Sequence, residues 1–530
     1  MSASSRAGAQ DSIGNRRARL SIDGITRRGF GALGIGAVIA GGAASASPIR
    51  PDKQRYRPTI HYAPAKGFMN DPNGLIFHEG EYHLFYQHNP FEAKAGHVHW
   101  GHAVSPDLVR WRELPVALTE TAAGQAFSGS AVFDRDSTSG LFGNGGGLVA
   151  IYTRASAEKQ TQEIATSTDR GRTFRQYAGN PVLDVNSSSF RDPKVFWHEP
   201  TLRWIMTVVR SREHRVLFYG STDLKRWAEL GSFANAGLLG IDYECPDLVE
   251  VPVEGGGSRW VLFVSINPGA PLGGSCVQYF VGSFDGQTFR AEDSVTRLAD
   301  FGQDFYALQT YADAPGPPVA IAWMSNWLYC NEVPYSGARG AMTLPRRLGL
   351  RRRANDWRLL QTPIELDPVA GRTLIDLPHA KGSGSLAAVA LPPGEAVEVS
   401  MRVAASPGAR VSVRFRNSGG EALTAGFDAG NYPGFFLDRG GAHGFSHRYF
   451  VDRFSWAASP ETRETDLHLV LDRTSLELFG LGGEACGTIQ HYFDAAPDRL
   501  EIAAEGAPVA VTNLRVRTLR PMAAGLEVNA

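Results

Sequence analysis

Three carboxylates stand in matching frames along this 530-residue chain: Asp71 in Asp71-Pro-Asn-Gly, Asp192 in Asp192-Pro-Lys and Glu244 in Glu244-Cys-Pro-Asp. Carboxylates distant in sequence that converge in a cavity are costly unless they pair, titrate apart or act on a ligand. Two such groups can cleave a glycosidic bond, one as acid and one as nucleophile or base, while a third holds sugar hydroxyls. Groups suited to a sugar accompany them in sequence. Trp100, Trp323 and Trp327 offer apolar faces, and Asn70, Gln87, Ser128 and Arg191 offer hydrogen-bond donors. A single Asp-Pro is a turn capping a strand; three acids in phase point to chemistry, provided the fold gathers them. Two competing centres are weaker. His97, His99 and His102 share strand faces but lack a carboxylate or thiolate at ligand spacing, so no metal is expected. Cys245 has no basic neighbour in sequence to activate it and reads as packing beneath Glu244.

The elements that would bring these residues together are legible as a repeat. Asp71-Pro-Asn-Gly, Ser128-Gly-Ser, Asp192-Pro-Lys, Glu244-Cys-Pro-Asp and Asp304-Phe-Tyr follow one another at intervals of 52 to 64 residues. A second series is out of phase with the first and keeps the same period: Ser105-Pro-Asp to Trp111, Ser167-Thr-Asp to Phe174, Ser221-Thr-Asp to Trp227 and Ser283-Phe-Asp to Phe289. After each start come two strand-like runs joined by a turn, such as Leu75-Ile-Phe and Tyr82-His-Leu-Phe-Tyr86. Repetition of about 40–60 residues with room for four short strands is the signature of a β-propeller. Five starts predict five blades, with the starts around one mouth of the central channel. From about Leu374 the rhythm changes to half-buried antiparallel strands such as Val397-Glu-Val-Ser-Met401 and Leu467-His-Leu-Val-Leu471, a β-sandwich pattern. The expected fold is therefore all-β: a five-bladed β-propeller over 55–360, a connection over 361–376 and a β-sandwich over 377–522, with a loose tail after Met522.

Composition removes other classes. With 53 Lys+Arg against 54 Asp+Glu the chain has no net basicity for a phosphate backbone, and no nucleic-acid partner is expected. Four cysteines cannot scaffold a chain of this length. Residues 1–46 read as an export signal of the twin-arginine type: Arg27-Arg28 precede a Gly/Ala-rich apolar run, and Ala44-Ser45-Ala46 supplies a cleavage pattern. The expected location is periplasmic or secreted. No other run reaches roughly 18 apolar residues, so no membrane association of the mature form is expected.

The motifs Phe68-Met-Asn-Asp-Pro-Asn-Gly74, Tyr82-His-Leu-Phe-Tyr-Gln87, His99-Trp-Gly-His-Ala103, Phe127-Ser-Gly-Ser130, Phe190-Arg-Asp-Pro-Lys194 and Tyr243-Glu-Cys-Pro-Asp-Leu248 resemble the invertase, inulinase and levanase family of glycoside hydrolases, family 32. The likeness runs in order from about His61 to Leu350. A weaker one, through Ser475-Leu-Glu-Leu-Phe479 and Thr488 to Phe493, continues into that family's sandwich domain. The resemblance implies a retaining hydrolase that releases fructose from terminal β-fructofuranosides in levan, inulin or sucrose, without a cofactor. It also implies that Asp71 is the nucleophile, Glu244 the acid/base and Asp192 the transition-state stabiliser. Asn70, Gln87, Trp100, Phe127, Ser128, Arg191 and Trp327 would then wall the fructose pocket. One departure falls at Ala338, where many members carry tryptophan before Arg-Gly; it bears on the far side of the pocket. Exo-action is expected, with levan favoured by overall likeness to levanases. The alternatives are a transfructosylase or endo-acting fructanase on the same scaffold, and a silent carbohydrate-binding propeller.

Overall fold

The computed structural model describes residues 54–354 and 356–522. The expected signal over 1–46 and the tail beyond Met522 lie outside them.

Five antiparallel sheets succeed one another along the chain, each counted outward from an innermost strand: Gly67–His78, Gln125–Asp134, Phe190–His198, Asp242–Pro252 and Tyr306–Thr310. These are the five blades. In the first four, apart from the late strand Ala338–Arg339 added at the inner edge of the first, strand order in space follows strand order in sequence, as hairpin connections require. The out-of-phase repeat is the chemistry of one of those hairpins. Oδ1 of Asp107, Asp169, Asp223 and Asp285 accepts backbone N–H groups at the turn between the third and fourth strands of its blade.

A blade buries its faces only against its neighbours, and five apolar clusters fill the five blade interfaces. Phe85, Trp100 and Tyr152 lie between blades 1 and 2, and Val149, Ile151, Met206 and Val208 between blades 2 and 3. Ile205, Phe218, Leu262 and Val264 join blades 3 and 4; Phe263, Val277, Leu308 and Leu348 join blades 4 and 5. Tyr82, Leu84, Val319 and Ile321 close blade 5 on blade 1. The ring is also stitched by backbone pairing. Ala338–Arg339 runs parallel to Gly67–Phe68, and Phe77 N–H donates to the Ala312 carbonyl at 2.9 Å.

The C-terminal part is one continuous antiparallel sheet wrapped into a sandwich, with two 21-residue strands, Ala370–Ala390 and Arg499–Leu519, paired along their lengths. Its core includes Val411, Phe415, Phe427, Leu469 and Val516. The last propeller strand runs Asp356–Pro363 and the first sandwich strand begins at Ala370. Strands thus occupy most of the stretch expected as a connection over 361–376, because pairing with Arg499–Leu519 captures the chain at once.

Buried charge joins propeller to sandwich. Arg346 reaches Asp300 at 3.0 Å and Glu477 at 2.6 Å; Arg439 reaches Asp304 at 2.8 Å; both His61 nitrogens meet carboxylates, Asp472 and Glu477, at 2.9 Å each. No helix among the described residues is long and apolar enough to cross a membrane.

Candidate active site

Every innermost strand carries a break in its pairing register at the same level: Met69/Pro72, Ala126/Gly129, Arg191/Lys194, Glu244/Asp247 and Tyr306/Gln309. A β-bulge adds a residue, bends the strand and re-aims a side chain. Here it re-aims the residues beside each break toward the channel. Pro72, Pro193 and Pro246 fall at bulges, where no ladder N–H is required of them. Asp192, Cys245 and Ala307 adopt left-handed backbone, with φ of 65°, 46° and 54°. Such strain costs roughly 1–3 kcal/mol per residue and needs surrounding structure to hold it. For Asp192 that structure is visible: its N–H donates to Thr153 Oγ1 of blade 2 at 2.9 Å, and its Oδ2 accepts the Cys245 N–H of blade 4 at 2.9 Å.

The bulges deliver Asp71, Asp192 and Glu244 to one cavity of about 250 Å³, which Asn70, Gln87, Phe127, Arg191 and Trp327 also line. Asp71 is buried and surrounded by donors. Ser128 Oγ lies 2.7 Å and Gln87 Nε2 3.3 Å from its Oδ2, Asn70 Nδ2 is 3.2 Å from its Oδ1, and the Cys245 thiol is 3.4 Å from Oδ2. Burial pushes its carboxyl up to about 6, with the charge of Glu244 adding to the rise and the Ser128, Cys245 and Asn70 hydrogen bonds opposing it. Asp192 is also raised by burial. Arg191 pulls it down, and Glu244 and Asp71 push it up.

Glu244 is the most exposed of the three acids. Arg191 holds Oε1 with Nε at 3.1 Å and Nη2 at 3.0 Å, and the Tyr306 hydroxyl donates to Oε2. The Arg191 guanidinium also lies 3.4 Å from Asp242 and 4.0 Å from Asp192, so it ties three carboxylates together. Cys245 has its thiol 3.4 Å from Asp71 and 3.7 Å from Asp192, and burial pushes that thiol well above its ordinary range. It is a donor packed between two acids and not a thiolate. None of the four cysteines is in a disulfide.

Three residues expected at the pocket wall sit elsewhere. Trp100 is fully buried between blades, and its indole N–H donates to the Phe127 carbonyl at 2.9 Å, so it supports the wall from behind. Trp323 is likewise buried, with its ring 4.9 Å from that of Trp327. Ser128 does not line that cavity but sits behind Asp71, to whose Oδ2 it donates, and it also accepts a hydrogen bond from Gln87. Ala338 is buried in the ring-closing strand and does not line the cavity. The fifth start differs too: Asp304 turns to Arg439 of the sandwich, and Tyr306 takes its place at the site. Gln125, Ala95, Gly96 and Val98, which the sequence does not single out, also line the cavity. Tyr306 stood within the fifth start motif, and only the bulge decides which of its residues faces inward. His99 bonds the His97 carbonyl at 2.6 Å, His97 meets Glu120 at 3.0 Å and His102 meets His83 at 3.1 Å, so the three histidines do not converge.

Residues 61–363 match the model for the glycosyl hydrolases family 32 N-terminal domain, and 372–518 that for its C-terminal domain. The chain is 39% identical over 480 residues to the levanase of Bacillus subtilis, covering 88% of this chain and 70% of that protein. It is 38% identical over 500 residues to invertase 1 of Saccharomyces cerevisiae, covering 86% and 93%. Among solved structures, a β-fructofuranosidase from Schwanniomyces occidentalis complexed with fructosyl-erythritol superposes with a TM-score of 0.80 at 34% identity, covering 88% of this chain and 99% of that one. An exo-inulinase from Aspergillus awamori does so with a TM-score of 0.80 at 32% identity, covering 88% and 98%.

Proposed function

Since the chain belongs to glycosyl hydrolase family 32, we propose that it releases fructose from the non-reducing ends of β-fructofuranosides by double displacement. The observation that carries this reading is the unequal treatment of two carboxylates at one cavity. Asp71 is enclosed by donors that favour its anion, while Glu244 is held at the more open side by Arg191 and Tyr306. In the proposed first step Asp71 attacks the anomeric C2 as Glu244 donates its proton to the leaving oxygen, giving a fructosyl-enzyme. Glu244, now a base, takes a proton from water, which attacks C2 and frees Asp71. Asp192 is placed to bind ring hydroxyls and to stabilise positive charge developing on the sugar. Its cross-blade hydrogen bonds fix the carboxylate in position beforehand.

Asp71 and Asp192 are both buried at a cavity of only about 250 Å³, which favours a chain terminus over an interior unit and hence exo-action. We put levan first among substrates, on the likeness to the levanase; inulin and sucrose follow from the likeness to exo-inulinases and invertases. Export through the segment 1–46 belongs to the same proposal. The test incubates the protein separately with levan, inulin and sucrose and follows products over time. Free fructose as the first and main product, with slow shortening of the polymer, is the expected result. Early oligosaccharides with little fructose would overturn exo-action, and no fructose from any of the three would overturn the proposed function. Enzyme released with the periplasm or medium, and retained inside cells by Arg27→Lys with Arg28→Lys, is the result expected for export.

A further inference from the structure

Buried charges link the innermost strands of blades 3, 4 and 5. At mid-depth the buried Lys194 ammonium donates to the Thr310 carbonyl at 2.5 Å and pairs with Asp247 at 2.9 Å, while Asp247 accepts the Thr310 N–H at 2.6 Å. Beyond this knot the innermost strands reach the opposite mouth. There the ends of the innermost strands of blades 2 and 3 and the turn between the first two strands of blade 5 line a second cavity, of about 520 Å³, about twice the volume of the catalytic one. Trp197 on its wall is five residues past Asp192 on the same strand, about 16 Å away at strand rise. The two cavities are therefore separate sites.

Aromatic rings and acceptors make up much of this second wall. Phe133, Phe196, Trp197 and Trp204 line it together with Asp136 and Asp313. Trp197 is 37% exposed although its neighbours are packed, and its orientation is fixed on both sides: its ring meets Trp204 edge-on at 5.2 Å and its indole N–H donates to Glu199 at 2.6 Å. An apolar plate held rigid and left half open gains by covering. Asp134 is already satisfied by Thr138 and Ser139. Asp136 and Asp313 make no hydrogen bond or ion pair among the described residues, so their oxygens are free to accept one. Arg135, also in the wall, supplies donors and offsets part of the negative charge. Pyranose and furanose rings present C–H faces to aromatic plates and hydroxyls to carboxylates and guanidinium groups. Phosphate-bearing ligands are disfavoured by the excess of carboxylates.

We propose that this opposite-mouth cavity is a non-catalytic carbohydrate site that holds a second stretch of the polysaccharide whose ends the catalytic cavity processes. It rests on the reading of the protein as a fructan hydrolase, and would keep polymer near the enzyme between cleavages. The test uses the full chain carrying Asp71→Ala, so that polymer is not digested, in native gels cast with levan or inulin. Retardation is expected, and adding Trp197→Ala should weaken apparent binding at least fivefold. Because Trp197→Ala loses packing on Trp204, the pair Asp136→Asn with Asp313→Asn serves as a second variant that keeps side-chain volume; it should weaken binding similarly. In chains with intact Asp71, each variant should hydrolyse sucrose with unchanged kcat/KM but lose several-fold on polymer at low concentration. Equal retardation with and without these changes, or none in the Asp71→Ala parent while the intact enzyme hydrolyses sucrose, would overturn the second site. Failure of the intact enzyme on sucrose, levan and inulin alike would instead overturn the proposed function.

Discussion

Replacing Ser128 with alanine removes one donor to the anion of Asp71 and leaves the carboxylate where it is. Its Oγ stands 2.7 Å from Asp71 Oδ2 and is foremost among the hydrogen bonds that lower the carboxyl. A hydrogen bond to a charged group contributes about 1.5–3 kcal/mol, and one pKa unit corresponds to about 1.4 kcal/mol. Losing it should therefore raise Asp71 by about 1–2 units from its value of about 6. Double displacement needs Asp71 ionised, so the acid limb of kcat/KM should move upward by that amount. Well below the limb, at a pH near 5, the loss should be about ten- to hundredfold, and it should shrink as pH rises. The assay is initial-rate sucrose hydrolysis across pH for wild type and Ser128→Ala, with thermal melts to show that both are folded. A limb that stays in place while activity falls equally at every pH would refute the reasoning, since Ser128 would then act on something other than the ionisation of Asp71.

Asp192→Asn should keep the fold and KM within a few-fold while kcat falls by two orders of magnitude or more, because its charge matters most as the sugar becomes cationic; a change confined to KM would make it a ground-state contact. His61, buried between Asp472 and Glu477, has its imidazole raised to about 9 by those two carboxylates acting against desolvation. Its folded value lies above the unfolded 6.5, so its contribution is fully present below pH 6.5 and lost as pH rises through about 9, at most about 3 kcal/mol. Denaturant titrations should show stability falling over that window in wild type and a flatter, lower profile in His61→Gln. Arg346→Met leaves Asp300 and Glu477 buried without their common cation, and should cost about 3–5 kcal/mol in the same titrations; a loss under 1 kcal/mol would show the network to be dispensable.

How much of this was legible in the sequence depends on how far each feature is set by neighbours in the chain. Blade number and the three acids stood out because Asp-Pro, Ser-Gly and Glu-Cys-Pro recur once per blade, and the recurrence survives folding as one level around the channel. The bulges did not, since a bulge is a mismatch between two paired strands and leaves no fixed mark in either. That is why Asp304 and Tyr306 exchanged roles: with the bulge at Tyr306/Gln309, the tyrosine faces the cavity and the aspartate the sandwich. The motif of Trp100 adjoins the site in sequence, but its strand is the third of its blade, two strands out from the innermost, and packs against blade 2. Conversely, the Ser-x-Asp series marked the period correctly and has a purely local cause, the capping of a hairpin by the aspartate.

The central claim, that Asp71 and Glu244 divide a double displacement between them, is tested most directly by trapping. Glu244→Ala should be incubated with a fructoside whose leaving group needs no protonation, and the protein digested and mapped by mass. A single fructosyl unit on the peptide containing Asp71, discharged faster when azide is added, is the result expected. An adduct on another peptide, or turnover that yields the inverted anomer with no adduct at all, would contradict it.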